Sequence, residues 1–203
     1  SQLKLTADSG GGTVAIKGPA STTGNAAIEL TVPGTGSGTL AVGDTGKILQ
    51  VVSTTKTDTA SFASANTSNF TDISGLSVSI TPSSTSSKIL VVATVAAAVG
   101  TGSLHVRLAR GSTGIAVGDS SSNRQSSTMS RRTQSSIYNL EITPMSFNFL
   151  DSPNTTSATT YKVQATAGST YDTTVYVNRS SGDNDYSYGA RVASTITVME
   201  VAA

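Results

Sequence analysis

Leu104-His105-Val106-Arg107-Leu108 and Thr195-Ile196-Thr197-Val198-Met199-Glu200-Val201 are the stretches whose reading decides the fold. In the first, the two Leu and the Val fall on one side of an extended chain, and His and Arg fall on the other. The second opens with the same alternation. Successive side chains of a strand point to opposite faces, so each stretch reads as a strand with one buried face and one wet or interfacial face.

Working outward, the same chemistry recurs. Candidate strands cover residues 13–17, 27–32, 47–53, 76–81, 88–99, 103–110, 137–143, 146–150, 160–167, 173–178 and 193–201. Residues 88–99 read differently: Ile89-Leu90-Val91-Val92 is a continuous apolar run, which predicts a central strand buried on both sides. Its Ala96-Ala97-Ala98 tail suits close approach of another strand or chain. No window repeats apolar residues at i, i+3, i+4 and i+7, and Thr, Val and Ser favour strands and turns. Gly, Asn, Asp and Pro mark turns at 34–38, 72–75, 111–114, 151–154 and 180–185. Regular turns between short strands predict an all-β chain, an antiparallel, jelly-roll-like β-sandwich.

A composition shift near residues 43–46 divides the chain. Residues 1–46 read as an extended N-terminal β arm, broken by glycines, and residues 47–203 as one sandwich domain. Gly-rich short strands hold register weakly and a lone hairpin is marginal in water. The arm is therefore expected to need a packing partner, and a neighbouring copy of the chain is the obvious one.

Composition excludes much chemistry. Among 203 residues there is no Cys, no Trp and one His; charged residues are 12% and the net charge is +1. Ser and Thr together supply about a third of the chain. A Cys-free chain has no disulfide scaffold, Cys-ligated metal or thiol nucleophile. One His supplies no multi-His site, and balanced charge gives no reason to expect nucleic acid. No cofactor is expected. The hydrophobic share, 36%, is low for a monomer with a large core and suits thin β layers or an oligomer. Residues 1–20 carry no apolar run resembling a signal peptide. The longest apolar stretch, 89–99, is about half the ~20 residues a membrane helix needs, so no membrane insertion is expected.

Few constellations offer reactivity. A Ser-His-Asp triad would have to use His105, and no Gly-x-Ser-x-Gly elbow accompanies it. A wet-face or interface histidine is the plainer reading, and no catalytic residue is assigned. Asp183 and Asp185 are close enough to suggest a weak cation site, but the EF-hand spacing fails and a polar turn is simpler. Arg107, Arg110, Arg124, Arg131 and Arg132 cluster mid-chain with Asp119 the sole acid among them. They could hold an anion. Subunit contact, particularly through Arg107, Arg110, Arg131 and Arg132, or solvated loops, is the better reading. Tyr171, Tyr176, Tyr186 and Tyr188 gather near Asp183 and Asp185, a mixture that suits glycan contact and equally suits covering a core edge.

Longer strings carry a resemblance. Residues 70–91, from Phe70-Thr71-Asp72-Ile73-Ser74-Gly75 through Thr81-Pro82-Ser83-Ser84 to Lys88-Ile89-Leu90-Val91, resemble a segment of fibre and appendage proteins of tailed bacteriophages, especially marine and cyanobacterial ones. Arg107-Leu108-Ala109-Arg110-Gly111-Ser112, Gly118-Asp119-Ser120-Ser121-Ser122-Asn123-Arg124, Phe149-Leu150-Asp151-Ser152-Pro153 and the closing strand at 193–201 are similar to the same C-terminal module. In the arm, Gly11-Gly12-Thr13-Val14-Ala15-Ile16-Lys17-Gly18-Pro19 and Glu29-Leu30-Thr31-Val32-Pro33 resemble a short upstream segment. The resemblance implies a virion β-sandwich, usually a homotrimer, with an N-terminal part anchoring it to capsid or tail proteins. The chain lacks a stalk repeat and a coiled-coil heptad run, so a short appendage or capsid decoration fits better than a long fibre.

The expectation is a non-enzymatic virion structural protein. A receptor-binding module recognising host surface polysaccharide through the C-terminal tyrosine loops is the alternative. A polysaccharide hydrolase has poor motif support.

Overall fold

A computed structural model describes residues 46–64, 69–133, 140–168 and 174–203. The expected arm, residues 1–46, lies outside them except for Gly46. The described residues form eleven strands and no helix: β1 (Ile48–Lys56), β2 (Ala60–Ala63), β3 (Thr71–Ile80), β4 (Lys88–Ala98), β5 (Gly102–Arg110), β6 (Thr113–Ile115), β7 (Met129–Thr133), β8 (Thr143–Asp151), β9 (Thr159–Gly168), β10 (Thr174–Val177) and β11 (Ser194–Val201).

All pairings are antiparallel and make two sheets. In the first, β8 lies along β4 from Ile89 to Ala97. A strand has only two edges, so β11, which pairs with Lys88–Thr94, and β10, which pairs with Ala97 and Ala98, share the other edge end to end. β1 and β2 continue outward from β11 and β10. In the second sheet β9 occupies one edge of β5, β7 and β6 share the other, and β3 lies beyond β9. The column orders are β1-β11-β4-β8 and β3-β9-β5-β7.

The alternating pattern places the core between the sheets. Ile89, Val91, Ala93 and Val95 of β4, with Ile196 and Val198 of β11, face Leu76, Val78 and Ile80 of β3 and Leu104, Val106 and Leu108 of β5 in one buried cluster. Tyr161 and Val163 of β9 complete it. At roughly 1.5–3 kcal/mol for each fully buried large apolar side chain, this cluster is the main source of stability.

Several expectations change on contact with the structure. Strand 88–99 is central but is not buried on both sides: Leu90 is half-buried and Val92 exposed, because no described layer covers that face. The expected turn at 72–75 lies inside β3 as a bulge. The register moves from Asp72↔Gln164 to Ser77↔Lys162, with Gly75 at φ +84° over the Lys56 side chain. Only Thr143 of the expected 137–143 strand is in a strand; Leu140 and Ile142 are not, and 137–139 are not described. β2, β6 and β7 are strands that the hydrophobic pattern did not reveal, being short edge segments with little buried surface.

Two inward carboxylates close one end of the sandwich. Glu200 is 1% exposed. It accepts hydrogen bonds from Gln50 Nε2 at 2.6 Å, Ser83 N at 2.7 Å and Ser83 Oγ at 2.6 Å. Burial alone would raise its pKa, but hydrogen bonds from Ser83, Gln50 and Ser87 win and hold it at about 2. Asp151 of β8 accepts from Arg110 Nη1 at 2.8 and 3.0 Å and from Tyr161 Oη at 2.6 Å, tying the first sheet to the second. Burial, reinforced by Asp151, raises the Tyr161 pKa and keeps its phenol protonated. At this same end Gly46 N donates to Ala202 O at 2.7 Å and Ala202 N to Lys47 O at 2.9 Å.

Candidate functional site

The opposite end carries the long β10–β11 connection, residues 178–193. Its base is Asn178, fully buried and in the left-handed region at φ +61°, which Asn tolerates better than most residues. Its Nδ2 donates to Lys56 O and Asp58 O, both at 2.9 Å, and its Oδ1 accepts from Ser194 Oγ at 2.6 Å. Ser194 Oγ in turn accepts from Ala96 N at 3.0 Å. One amide therefore seals the point where the β11 column gives way to β10.

Above that base an isolated bridge joins Arg179 to Arg191. Asp183 accepts from Arg191 at 2.8 and 2.9 Å and lies 3.5 Å from Arg179. The Arg179 guanidinium sits 4.7 Å from the Tyr176 ring centroid. At the tip Tyr186 N donates to Asn184 O and Gly189 N to Tyr186 O, a tight turn that stacks Tyr186 on Tyr188 at 5.0 Å and 18°. These rings are 52% and 72% exposed. A cleft of about 310 Å³ beside them is lined by Ser180, Asp183, Asn184, Asp185, Tyr186 and Arg191, among others.

Of the tyrosine and aspartate residues singled out in the sequence, Asp183, Asp185 and Tyr186 share this cleft, with Tyr188 stacked at its rim. Tyr176 joins only through Arg179, and Tyr171 lies outside the described residues. The Asp183 charge is met by arginines, and among the described residues no group of three or more His, Cys, Asp or Glu side chains could hold a metal ion. Exposed ring faces beside amide, carboxylate and guanidinium groups can stack on and hydrogen-bond a sugar.

The arginine cluster divides. Arg110 is held by Asp151, and Arg131 of β7 pairs with Glu141. Arg132 is exposed. Arg107 Nε donates to Gln164 Oε1 at 2.7 Å, and its guanidinium lies 4.2 Å from the Phe70 centroid. Arg124 Nη1 donates to Ser121 Oγ at 3.1 Å. Arg107 and Arg124 line a common cleft, with Phe70 and Ser122–Ser126.

His105 faces the outer side of β5. A Cβ placed on Gly168 would sit 2.6 Å from its Nε2, so glycine there makes room for the ring. Its Nδ1 is buried with no hydrogen-bond partner, and burial lowers its pKa. It lacks the carboxylate at Nδ1 that orients a triad histidine.

Sequence reading did not identify the apolar outer face of the first sheet, which becomes visible once the register is known. Val51, Met199, Leu90 and Leu150 align across β1, β11, β4 and β8. Val51 is 57% and Leu150 53% exposed, and Val92 adjoins them. Farther along this face a groove of about 340 Å³ lies between Thr94, Ala96, Ile142, Pro144 and Tyr188. Among the described residues no helix is long and apolar enough to cross a membrane. No family model matches the chain, and no curated protein matches it.

Proposed function

We propose that this chain is a non-enzymatic structural protein of a virion, a homotrimeric appendage attached to the capsid or tail of a tailed phage through residues 1–46. The observation that carries this reading is the row Val51, Met199, Leu90 and Leu150 on a sheet face that no other described layer covers. A contiguous exposed apolar face marks an interaction surface, and cover by another protein chain is one of its common uses. Symmetric copies of one chain are the commonest way to cover it. The column orders β1-β11-β4-β8 and β3-β9-β5-β7 support the reading of a double-sheet jelly roll, an architecture that serves in viral capsids as well as in lectins and cupins.

Sedimentation equilibrium of the full chain is the direct test of assembly. Three copies are expected, and Val51→Glu with Leu150→Glu should release folded monomers. A wild-type chain that stays monomeric at every concentration defeats the reading. Deleting residues 1–46 should abolish incorporation into particles while the trimer persists; unchanged incorporation would remove the anchoring role.

The exposed Tyr186–Tyr188 stack favours a second, compatible reading: contact with host surface glycans. Tyr186→Ala and Tyr188→Ala should then lose glycan-array binding. Binding retained in both would place any sugar contact elsewhere.

A further inference from the structure

The outer face of the second sheet carries a cleft that shares no lining residue with the apolar row or the tyrosine cleft. It has about 500 Å³ of open space, and its wall is built from three separate parts of the chain. Phe70 precedes β3, Arg107 projects from β5, and Ser122, Asn123, Arg124 and Ser126 come from the β6–β7 connection. No carboxylate lines it. Two guanidinium groups therefore share a space furnished otherwise with hydroxyl and amide groups and one aromatic ring.

The neighbouring Asp72 carboxylate is otherwise engaged. Asp72 accepts from Lys162 Nζ at 2.6 Å and from Gln164 Nε2 at 2.5 Å. The Asp119 carbonyl accepts from Ser126 Oγ at 3.2 Å, which helps shape the loop. Arg107 is fixed in place: Nε bonds Gln164, the plane covers Phe70, and its stem packs where a Cβ on Gly114 would come within 3.2 Å. Its terminal nitrogens donate to no described side chain. Burial lowers the Arg107 pKa, with Asp72 opposing in part, yet a guanidinium stays charged at neutral pH. Arg124 is held by a turn in which its own N donates to Ser121 O at 3.0 Å while Nη1 donates to Ser121 Oγ.

A fixed, partly desolvated guanidinium whose terminal nitrogens donate to no described side chain, a second guanidinium lining the same cleft and two serine hydroxyls on its wall make a receptor for an oxyanion. We infer that the cleft bounded by Phe70, Arg107 and Arg124 binds a sulfate, phosphate or carboxylate group, either free or carried on an acidic polysaccharide. The ring of Phe70 and the amides of Asn123 and Gln125 would flank the remainder of such a chain. This site shares no lining residue with the tyrosine cleft and stands whether or not that cleft binds sugar.

The test is an NMR titration of the full-length protein at fixed ionic strength. The probes are sodium sulfate against sodium chloride, and dextran sulfate against neutral dextran. Shifts confined to the cleft with inorganic sulfate identify a free oxyanion. The same shifts with dextran sulfate alone identify one carried on a polymer. Arg124→Gln, in a loop, should weaken either response tenfold or more without altering the remaining spectrum, and Arg107→Lys should weaken it while keeping one positive charge. Equal shifts with chloride, no shift with either sulfate probe, or an undiminished response in Arg124→Gln would overturn the assignment.

Discussion

The two ends of the sandwich use the same three residue types to opposite effect. At one end Tyr161, Asp151 and Arg110 form a clamp: the tyrosine is fully buried, its hydroxyl is spent on Asp151, and the arginine comes from the facing sheet. At the other end Tyr186, Tyr188, Asp183, Arg179 and Arg191 form a loop in which the ion pairs lie at the surface and the rings face water. Residue chemistry alone does not separate them. What separates them is whether the carboxylate points between the sheets or sits on a connection outside them. The first arrangement holds the fold together, and the second holds a surface in shape.

This contrast can be broken experimentally. The largest effect is expected at Asp151. Asp151→Ala leaves a phenol and a partly buried guanidinium without their acceptor and should cost roughly 3–4 kcal/mol in urea unfolding. A loss below 1 kcal/mol would show that the clamp is ornamental. Next comes pH dependence through Glu200. Its folded pKa is about 2 against an ordinary 4.5, so its contribution is complete above pH 4.5 and is lost as pH falls towards 2. The full shift corresponds to about 3 kcal/mol, and screening by water at the sandwich end reduces this to about 2 kcal/mol. Glu200→Gln should flatten that part of the stability profile; an unchanged profile would assign the acid sensitivity to other groups.

Asn178→Ala should cost about 2 kcal/mol, since it orphans two carbonyls and a hydroxyl and forces alanine into a left-handed conformation. Asn178→Gly removes only the conformational part of that penalty, so the difference between the two variants measures it. The smallest effect belongs to the displayed loop. Asp183→Asn and Tyr188→Ala should each shift the unfolding midpoint by less than about 0.5 kcal/mol equivalent. A larger loss would make the loop part of the framework.

Much of the fold was legible because period-2 alternation survives wherever one face is buried. β5 and β11 are the clearest cases, and the alternation of β11 continues through Glu200, which occupies an inward position. That made Glu200 easy to misjudge, since a carboxylate in a strand ordinarily signals the wet face. Edge strands such as Met129–Thr133 bury too little for any pattern to form. The site was legible in part. Tyr186, Asp183 and Asp185 lie close in sequence, so their meeting in a loop is local. Arg107 and Arg124 meet Phe70 only through the register of β5 and the path of a long connection. The apolar row across β1, β11, β4 and β8 is likewise a product of pairing: each strand supplies one member, and only the register aligns them.

Ser83, Arg110, Asp151 and Glu200 come from four distant parts of the chain and all contribute to the buried clamps at the same end.

Gly46 and Ala202 lie side by side at that end, joined by hydrogen bonds across β1 and β11. The tyrosine loop is at the far end. A pull applied between residue 46 and that loop therefore runs along the length of β1. The β1–β11 hydrogen bonds from Ile48 to Lys56 would be loaded together, in shear, instead of opening one after another like a zipper. A domain gripped in this way resists a tug far better than its equilibrium stability suggests, because the rate of rupture, not the free energy, decides how long it holds.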